Sequence, residues 1–169
     1  MAKRLFAMLL VVAMLLSFMP VVGVAAEDTL DKHTSHEGWT AWNDSTTLPT
    51  EAGKYYLTCD VELTAAVTIN ANVDLCLDGH TVTQKTSGKR HIFLGEGKGI
   101  TFNLYDCVGT GTLTGGSQGT GAVINVTRTT TFNMYGGKIT GNVTTGDAII
   151  YVQAANATYP TGGDRKSVV

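Results

Sequence analysis

The sequence predicts an all-β protein, a right-handed parallel β-helix (a solenoid) of about three to four coils with an N-terminal cap. Three observations indicate this fold. Residues 101–105 and 131–135 share the pattern Thr-Phe-Asn-hydrophobic-Tyr at an offset of 30 residues. The chain is rich in residues that favour the pleated surface of a sheet, namely Thr, Val, Ile, Tyr and Phe. Apolar residues also recur at equivalent positions of each repeat, which is the signature of stacked repeats.

The first strand of each repeat is predicted at residues 74–78, 101–105 and 131–135. Successive side chains of a strand point to opposite faces, so alternate residues face inward. The predicted inward columns, meaning equivalent positions of successive repeats, are Leu75–Phe102–Phe132 and Leu77–Leu104–Met134. The outward columns are then Cys76–Asn103–Asn133 and Asp78–Tyr105–Tyr135.

Two further strands follow in each repeat. The second is predicted at residues 81–83, 112–114 and 138–140, and the third at 92–94, 122–126 and 148–152. Their inward columns are Val82–Leu113–Ile139, Ile92–Ile124–Ile150 and Leu94–Val126–Val152. Gly and Asp at the corners, as in Asp78-Gly79, suit tight turns. An antiparallel sandwich also has strands at short intervals, but it predicts no match of columns at a fixed long period.

The region before the repeats differs in texture. Residues 54–63 alternate as one strand with Tyr55, Leu57, Cys59, Val61 and Leu63 on one face, and residues 67–70 form another short strand. Terminal repeats of solenoids are atypical because they cover the open end of the core. Residues 27–53 are therefore predicted to be a leader and N-terminal cap, and residues 54–153 the coils. In this interpretation Trp39 and Trp42 are lids on the apolar core, not ligand platforms.

The N-terminus predicts export. Lys3 and Arg4 precede an apolar run to Met19, and small residues end at Ala26, so residues 1–26 are interpreted as a secretory signal peptide. The alternative, a membrane anchor, needs about 20 apolar residues, and this run is shorter. The predicted location is extracellular, secreted or associated with the cell wall, without a membrane span after cleavage. A formal net charge of −2 without a basic patch disfavours nucleic acid as a partner.

The cysteines and histidines predict no metal site and no cofactor. Cys59, Cys76 and Cys107 match no zinc-binding spacing, and are interpreted as small apolar strand residues. His33 and His36 precede Glu37 as H-x-x-H-E, which differs from the helical zinc motif. A solvated N-terminal leader is the preferred interpretation of this segment.

Several segments resemble a known family. GKYYLT at 53–58, after Leu-Pro at 48–49, and LCLDGHTV at 75–82 are similar to Gram-positive gut-bacterial surface proteins with right-handed parallel β-helix repeats of the pectin-lyase-like superfamily. FNMYGGKITGN at 132–142 resembles their repeat signature. The resemblance covers roughly residues 39–152 and implies a long protein with many coils. Residues 154–169 are accordingly expected to be a truncated, artefactual tail, since 164–169 resemble a translated adapter oligonucleotide.

Enzymes with this fold use clustered carboxylates, yet Asp74, Asp78 and Asp106 do not stack in the predicted register, and no catalytic residue is assigned. Acidic pairs for glycoside hydrolysis need defined separations. The preferred function is a non-catalytic structural or adhesive segment that binds carbohydrate or a host or cell-surface protein. The alternative is the N-terminal part of a polysaccharide-degrading lyase or hydrolase. The predicted ligand-binding residues are Asn103, Tyr105, Asn133 and Tyr135.

Overall fold

The computed structural model describes residues 33–146, 148–156, 158 and 164–167, and this part of the chain is all-β without a helix. None of its segments is therefore a helix that could cross a membrane. The strands of the described residues are β1 (Thr40–Trp42), β2 (Gly53–Leu57), β3 (Val61–Leu63), β4 (Val67–Ile69), β5 (Val73–Cys76), β6 (Thr81–Gln84), β7 (Ile92–Leu94), β8 (Thr101–Tyr105), β9 (Thr112–Thr114), β10 (Ser117–Gln118), β11 (Ile124–Val126), β12 (Thr131–Met134), β13 (Lys138–Ile139), β14 (Val143–Thr144), β15 (Ile150–Val152) and β16 (Asp164–Ser167).

These strands stack in parallel sheets. The first sheet has the order β1-β2-β5-β8-β12-β16, the second β3-β6-β9-β13 and the third β4-β7-β11-β15, while β10 pairs with β14 at a corner. The chain visits the three large sheets in turn, for example through β5, β6 and β7, and then returns to the first one. Every strand pair among the described residues is parallel. This arrangement is consistent with a β-solenoid and rules out the antiparallel sandwich for the described residues.

The core lies between the sheets and is built from columns of apolar side chains. The predicted columns of the second and third strands are confirmed where Val82 aligns with Leu113, Leu113 with Ile139, and Ile124 with both Ile92 and Ile150. Phe102 and Phe132 are vertical neighbours with fully buried rings whose centroids lie 5.8 Å apart at 16°. A single repeat could not bury these side chains alone, so stacking of the repeats creates the core.

The predicted alignment of β5 is wrong by two residues. Val73, not Leu75, aligns with Phe102, and Leu75 aligns with Leu104. The inward columns are therefore Val73–Phe102–Phe132 and Leu75–Leu104–Met134. A slip of two residues leaves every side chain on its predicted face because the strand period is two, so alternation alone could not detect it. On the outer face Asp74 now aligns with Asn103, and Cys76 with Tyr105.

The single strand predicted at residues 54–63 is also wrong. The chain bends at Thr58 and Cys59, so β2 belongs to the first sheet and β3 to the second. Leu57 and Val61 are both fully buried on either side of the bend. The alternation of apolar and polar residues continues around the corner because the same face of the chain stays turned to the core. The pattern therefore does not show that one strand ends and another begins.

A tight corner turn follows β5. Asp78 (φ 49°) and Gly79 (φ 82°) are both left-handed, and the His80 amide donates to the Leu77 carbonyl at 2.9 Å. These features are those of a type I′ turn, so the predicted corner at Asp78-Gly79 is confirmed.

The predicted signal peptide at 1–26 lies outside the described residues. Within the predicted tail, the backbone of β16 pairs in parallel with β12.

Candidate functional site

The candidate site lies on the outer face of the first sheet, where a ladder of polar side chains crosses three strands. Asn103 and Asn133 alternate with inward residues, so both point outward from β8 and β12. The Asn103 Nδ2 group donates to Asp74 Oδ1 at 2.7 Å, and the Asn133 Nδ2 group donates to Asn103 Oδ1 at 2.7 Å. Asp74 belongs to this ladder because β5 is shifted by two residues from its predicted alignment with β8.

Aromatic rings lie beside the ladder. The rings of Tyr105 and Tyr135 stack with centroids 4.8 Å apart and 13° between their planes. Trp39 meets Tyr105 edge to face at 5.5 Å and 88°. His33 packs in turn on Trp39, with ring centroids 3.9 Å apart. Offset-stacked and edge-to-face arrangements are those that aromatic pairs prefer, so these rings form an ordered platform on the outer face.

A shallow cleft of about 150 Å³ separates the platform from the polar ladder. It is lined by His33, Trp39, Lys54, Asp74 and Tyr105. The Lys54 ammonium lies 4.0 Å from Asp74 Oδ2 and 5.9 Å from the centre of a Trp39 ring. Sites that enclose a small molecule measure about 300–1,000 Å³. A cleft of this size therefore suits a ligand that lies along the surface better than one that it would enclose.

The structure brings the four predicted ligand-binding residues, Asn103, Tyr105, Asn133 and Tyr135, onto one surface. It also adds Trp39, Lys54, Asp74 and His33, which the sequence did not indicate. The prediction that Trp39 is a lid on the core is wrong, because its ring lines the outer cleft. Trp42 does pack against the core, and its indole N–H donates to the Thr47 carbonyl at 2.9 Å. Trp39 just before β1, Lys54 on β2 and Asp74 on β5 were the signal for this face, but their alignment could be recognised only with the correct register.

The prediction of a solvated leader is wrong for His33 and His36. Both side chains are partly buried, and the His36 ring stacks on Tyr56 at 4.0 Å and 8°. One metal-ligating atom each from His33, His36, Cys76 and Cys107 lies within 4.8 Å of all the others. These four side chains are called the His–Cys cluster below. Two outward cysteines on neighbouring repeats, together with H-x-x-H, were the available signal, although the spacing matched no known motif.

Burial shifts the pKa values of three side chains in the cluster. Burial lowers the pKa of His33, and the neighbouring His36 lowers it further. Burial raises the pKa of the Cys76 thiol. Burial and the hydrogen bond to Asp78 raise the pKa of Cys107 strongly, since its Sγ lies 3.1 Å from Asp78 Oδ1. With pKa values shifted in these directions, both thiols are protonated and the His33 imidazole is neutral at pH 7.

The three carboxylates that the sequence singled out have separate local partners. Asp106 accepts hydrogen bonds from the Gly79 and Gly111 amides, at 2.8 and 2.7 Å, and so holds two corners together. Asp74 accepts from Asn103, and Asp78 from Cys107. Buried or partly buried carboxylates with such partners stabilise the local backbone and side-chain arrangement. These hydrogen bonds give all three residues a structural role, and Asp74 in addition lines the outer cleft.

The chain was compared with known proteins in three ways. The comparison with family models gives no match, and the comparisons with curated proteins and with solved structures give no significant match.

Proposed function

We propose that this chain is an exported, non-catalytic surface protein that binds carbohydrate through the outer face of its first sheet. In this proposal the stacked sheets form a right-handed parallel β-helix of the pectin-lyase-like kind, with about three to four coils and an N-terminal cap. The signal-peptide pattern of residues 1–26 supports export. Export would place the binding face outside the cell, in contact with glycans of a cell wall or a host.

One observation carries the proposal: two parallel tyrosine rings lie directly beside a ladder of amide side chains. Tyr combines a flat apolar ring with a polar hydroxyl. A sugar ring has the complementary character, with apolar C–H faces and hydroxyl groups at its edges. An asparagine amide offers two N–H groups and two lone pairs, and the ladder uses only one of each at Asn103. The remaining N–H group and lone pair of Asn103 would serve the hydroxyls of a sugar that contacts Tyr105 and Tyr135.

The shape of the face agrees with an extended glycan. The rings of Tyr135 and Tyr105 follow one another on the neighbouring strands β12 and β8, and the Trp39 ring, which comes from the residue before β1, meets Tyr105 edge to face. Neighbouring strands of a sheet are about 4.8 Å apart, so successive rings can contact a ligand that runs across the repeats. Lys54 and Asp74 at the end of the row add one charge of each sign.

A screen of the purified chain against immobilised glycans tests the proposal. We expect the Tyr105→Ala/Tyr135→Ala double variant to bind at least about fivefold more weakly, because each aromatic contact contributes about 0.5–1.5 kcal/mol. Tyr151→Ala is the matched control, since Tyr151 lies outward on β15 of the third sheet, between Ile150 and Val152. Equal binding by the double variant and the parent would contradict the proposal. So would binding of the parent to proteins alone.

A further inference from the structure

The His–Cys cluster is the second feature of the outer face, and its donor atoms lie close enough together to hold a metal ion. His33 and His36 belong to the segment before β1, Cys76 ends β5, and Cys107 follows β8. The four donor atoms thus come from three separate parts of the chain. His36 and Cys107, which are in contact, are 71 residues apart in sequence.

The distances agree with tetrahedral coordination. Zinc–sulfur and zinc–nitrogen bonds of about 2.3 and 2.0–2.1 Å place two sulfur ligands about 3.8 Å apart and a sulfur and a nitrogen about 3.5 Å apart. Cys76 Sγ and Cys107 Sγ are 3.5 Å apart, and Cys107 Sγ and His36 Nε2 are 3.4 Å apart. These two edges are within about 0.3 Å of the values for a bound ion, and every other pair of donor atoms in the cluster lies within 4.8 Å.

Two independent observations point to a ligand at this place. His33 Nε2 is buried and has no hydrogen-bond partner among the described residues, and a buried polar atom of this kind is costly to leave unpaired. Cys76 occupies an outward position of β5 between Asp74 and the corner, yet its side chain is 0% exposed. A metal ion held by all four side chains would satisfy the imidazole and explain why the leader covers an outward cysteine.

We propose that His33, His36, Cys76 and Cys107 bind one zinc ion, or another divalent cation of the same preference, as a closed structural site. Two thiolates and two neutral imidazoles form a complete Cys₂His₂ set for tetrahedral Zn²⁺, with no position left for a substrate. Binding displaces one proton from each thiol, so two protons leave per ion. The carboxylate of Asp78, 3.8 Å from His36 Nε2, adds negative charge next to the cation.

The bound ion would fix the segment before β1 to the first sheet. His33 and His36 are anchored to the first sheet by the ion, and Trp39, on which His33 packs, is held over the cleft. Binding to a site that exists only in the folded chain stabilises the folded state. The inference concerns the metal site alone and does not require that the cleft bind carbohydrate.

A disulfide between Cys76 and Cys107 is the competing arrangement in an exported protein. It would shorten the sulfur–sulfur distance from 3.5 Å to about 2.05 Å. It would also remove both thiolates and leave the two imidazoles without an ion. The buried His33 Nε2, which has no hydrogen-bond partner in the described part of the chain, gains none in that arrangement.

Cobalt and zinc titration of the full chain, reduced and freed of metal by a chelator, tests the proposal. We expect one ion per chain, two protons released, and the intense visible absorption of tetrahedral Co²⁺ with thiolate charge transfer. Loss of an outer partner of a metal ligand already weakens affinity about 10–100-fold, so Cys107→Ala and His33→Ala should each weaken zinc binding more than about 100-fold.

The chain offers a matched control for each ligand type. Cys59→Ser and His80→Gln change a cysteine and a histidine outside the cluster, and both should bind zinc like the parent. Circular dichroism of the metal-free variants shows whether they keep the β structure. Failure of the reduced parent to bind, binding that survives in Cys107→Ala, or equal loss in Cys59→Ser would each overturn the proposal. Isolation of the native chain with a Cys76–Cys107 disulfide would also overturn it.

Discussion

At the scale of single residues, His91 shows how the solenoid core accepts a polar side chain. The imidazole is 0% exposed, and its Nε2 lies 2.7 Å from the Thr114 carbonyl, so Nε2 carries the proton. Nδ1 is buried and has no hydrogen-bond partner among the described residues. A second proton would place a charge in the core, and burial accordingly lowers the pKa of His91.

His91 should make the fold sensitive to mild acid. Since its pKa in the folded chain is below the ordinary 6.5, its stabilising contribution is complete above pH 6.5. The contribution is lost as the pH falls from there towards the folded-state pKa, with a slope of at most about 1.4 kcal/mol per pH unit. Urea unfolding between pH 7.5 and 5 should show a shallower loss of stability in His91→Gln than in the parent. An unchanged slope in that variant, with His80→Gln as control, would contradict this assignment.

At the scale of elements, the ladder Asp74–Asn103–Asn133 joins β5, β8 and β12 through side chains as well as backbone. Asn103 occupies the middle position and is both donor and acceptor. An amide can do both at once, whereas a carboxylate only accepts when ionised. With Asp74 as its neighbour, the middle position of the ladder therefore needs a side chain that donates and accepts, as the Asn103 amide does.

Replacement of Asn103 separates the hydrogen bonds from the charge. Asn103→Ala should lower the free energy of unfolding by about 1–2 kcal/mol through two lost hydrogen bonds. Asn103→Asp should be more destabilising at pH 7, because it places like charges on adjacent strands. It should recover part of the difference at pH 4, where protonation of one carboxyl removes the repulsion. Urea unfolding at both pH values measures these free energies. A loss of stability in Asn103→Asp that does not depend on pH would contradict a close contact between residue 103 and Asp74.

At the scale of the whole molecule, stability depends on vertical contacts between repeats. Phe102 aligns with Val73 on one side and with Phe132 on the other. Phe102→Ala should therefore lower the free energy of unfolding by about 3–5 kcal/mol, the usual cost of a cavity in place of a buried phenylalanine. Tyr135→Ala, on the outer face, should cost much less. Denaturant unfolding of both variants checks the order, and similar losses would contradict the stacking of the core.

The sequence by itself determined the class of fold and much of its core. The repeated strands, the inward columns of the second and third sheets, and the corner at Asp78-Gly79 could be predicted because alternation and turn chemistry are local properties. The outward position of Asn103, Tyr105, Asn133 and Tyr135 followed from the same alternation. That part of the candidate site needed no information about distant contacts.

Only the tertiary structure decided the register of β5, the break between β2 and β3, and the position of the leader. A shift of two residues and a bend between strands both preserve the alternation, so neither leaves a trace in the local pattern. The meeting of His33 and His36 with Cys76 and Cys107 depends on how the repeats stack and where the leader crosses them. Contacts between residues so far apart in sequence are fixed by packing in three dimensions, and the spacing along the chain does not specify them.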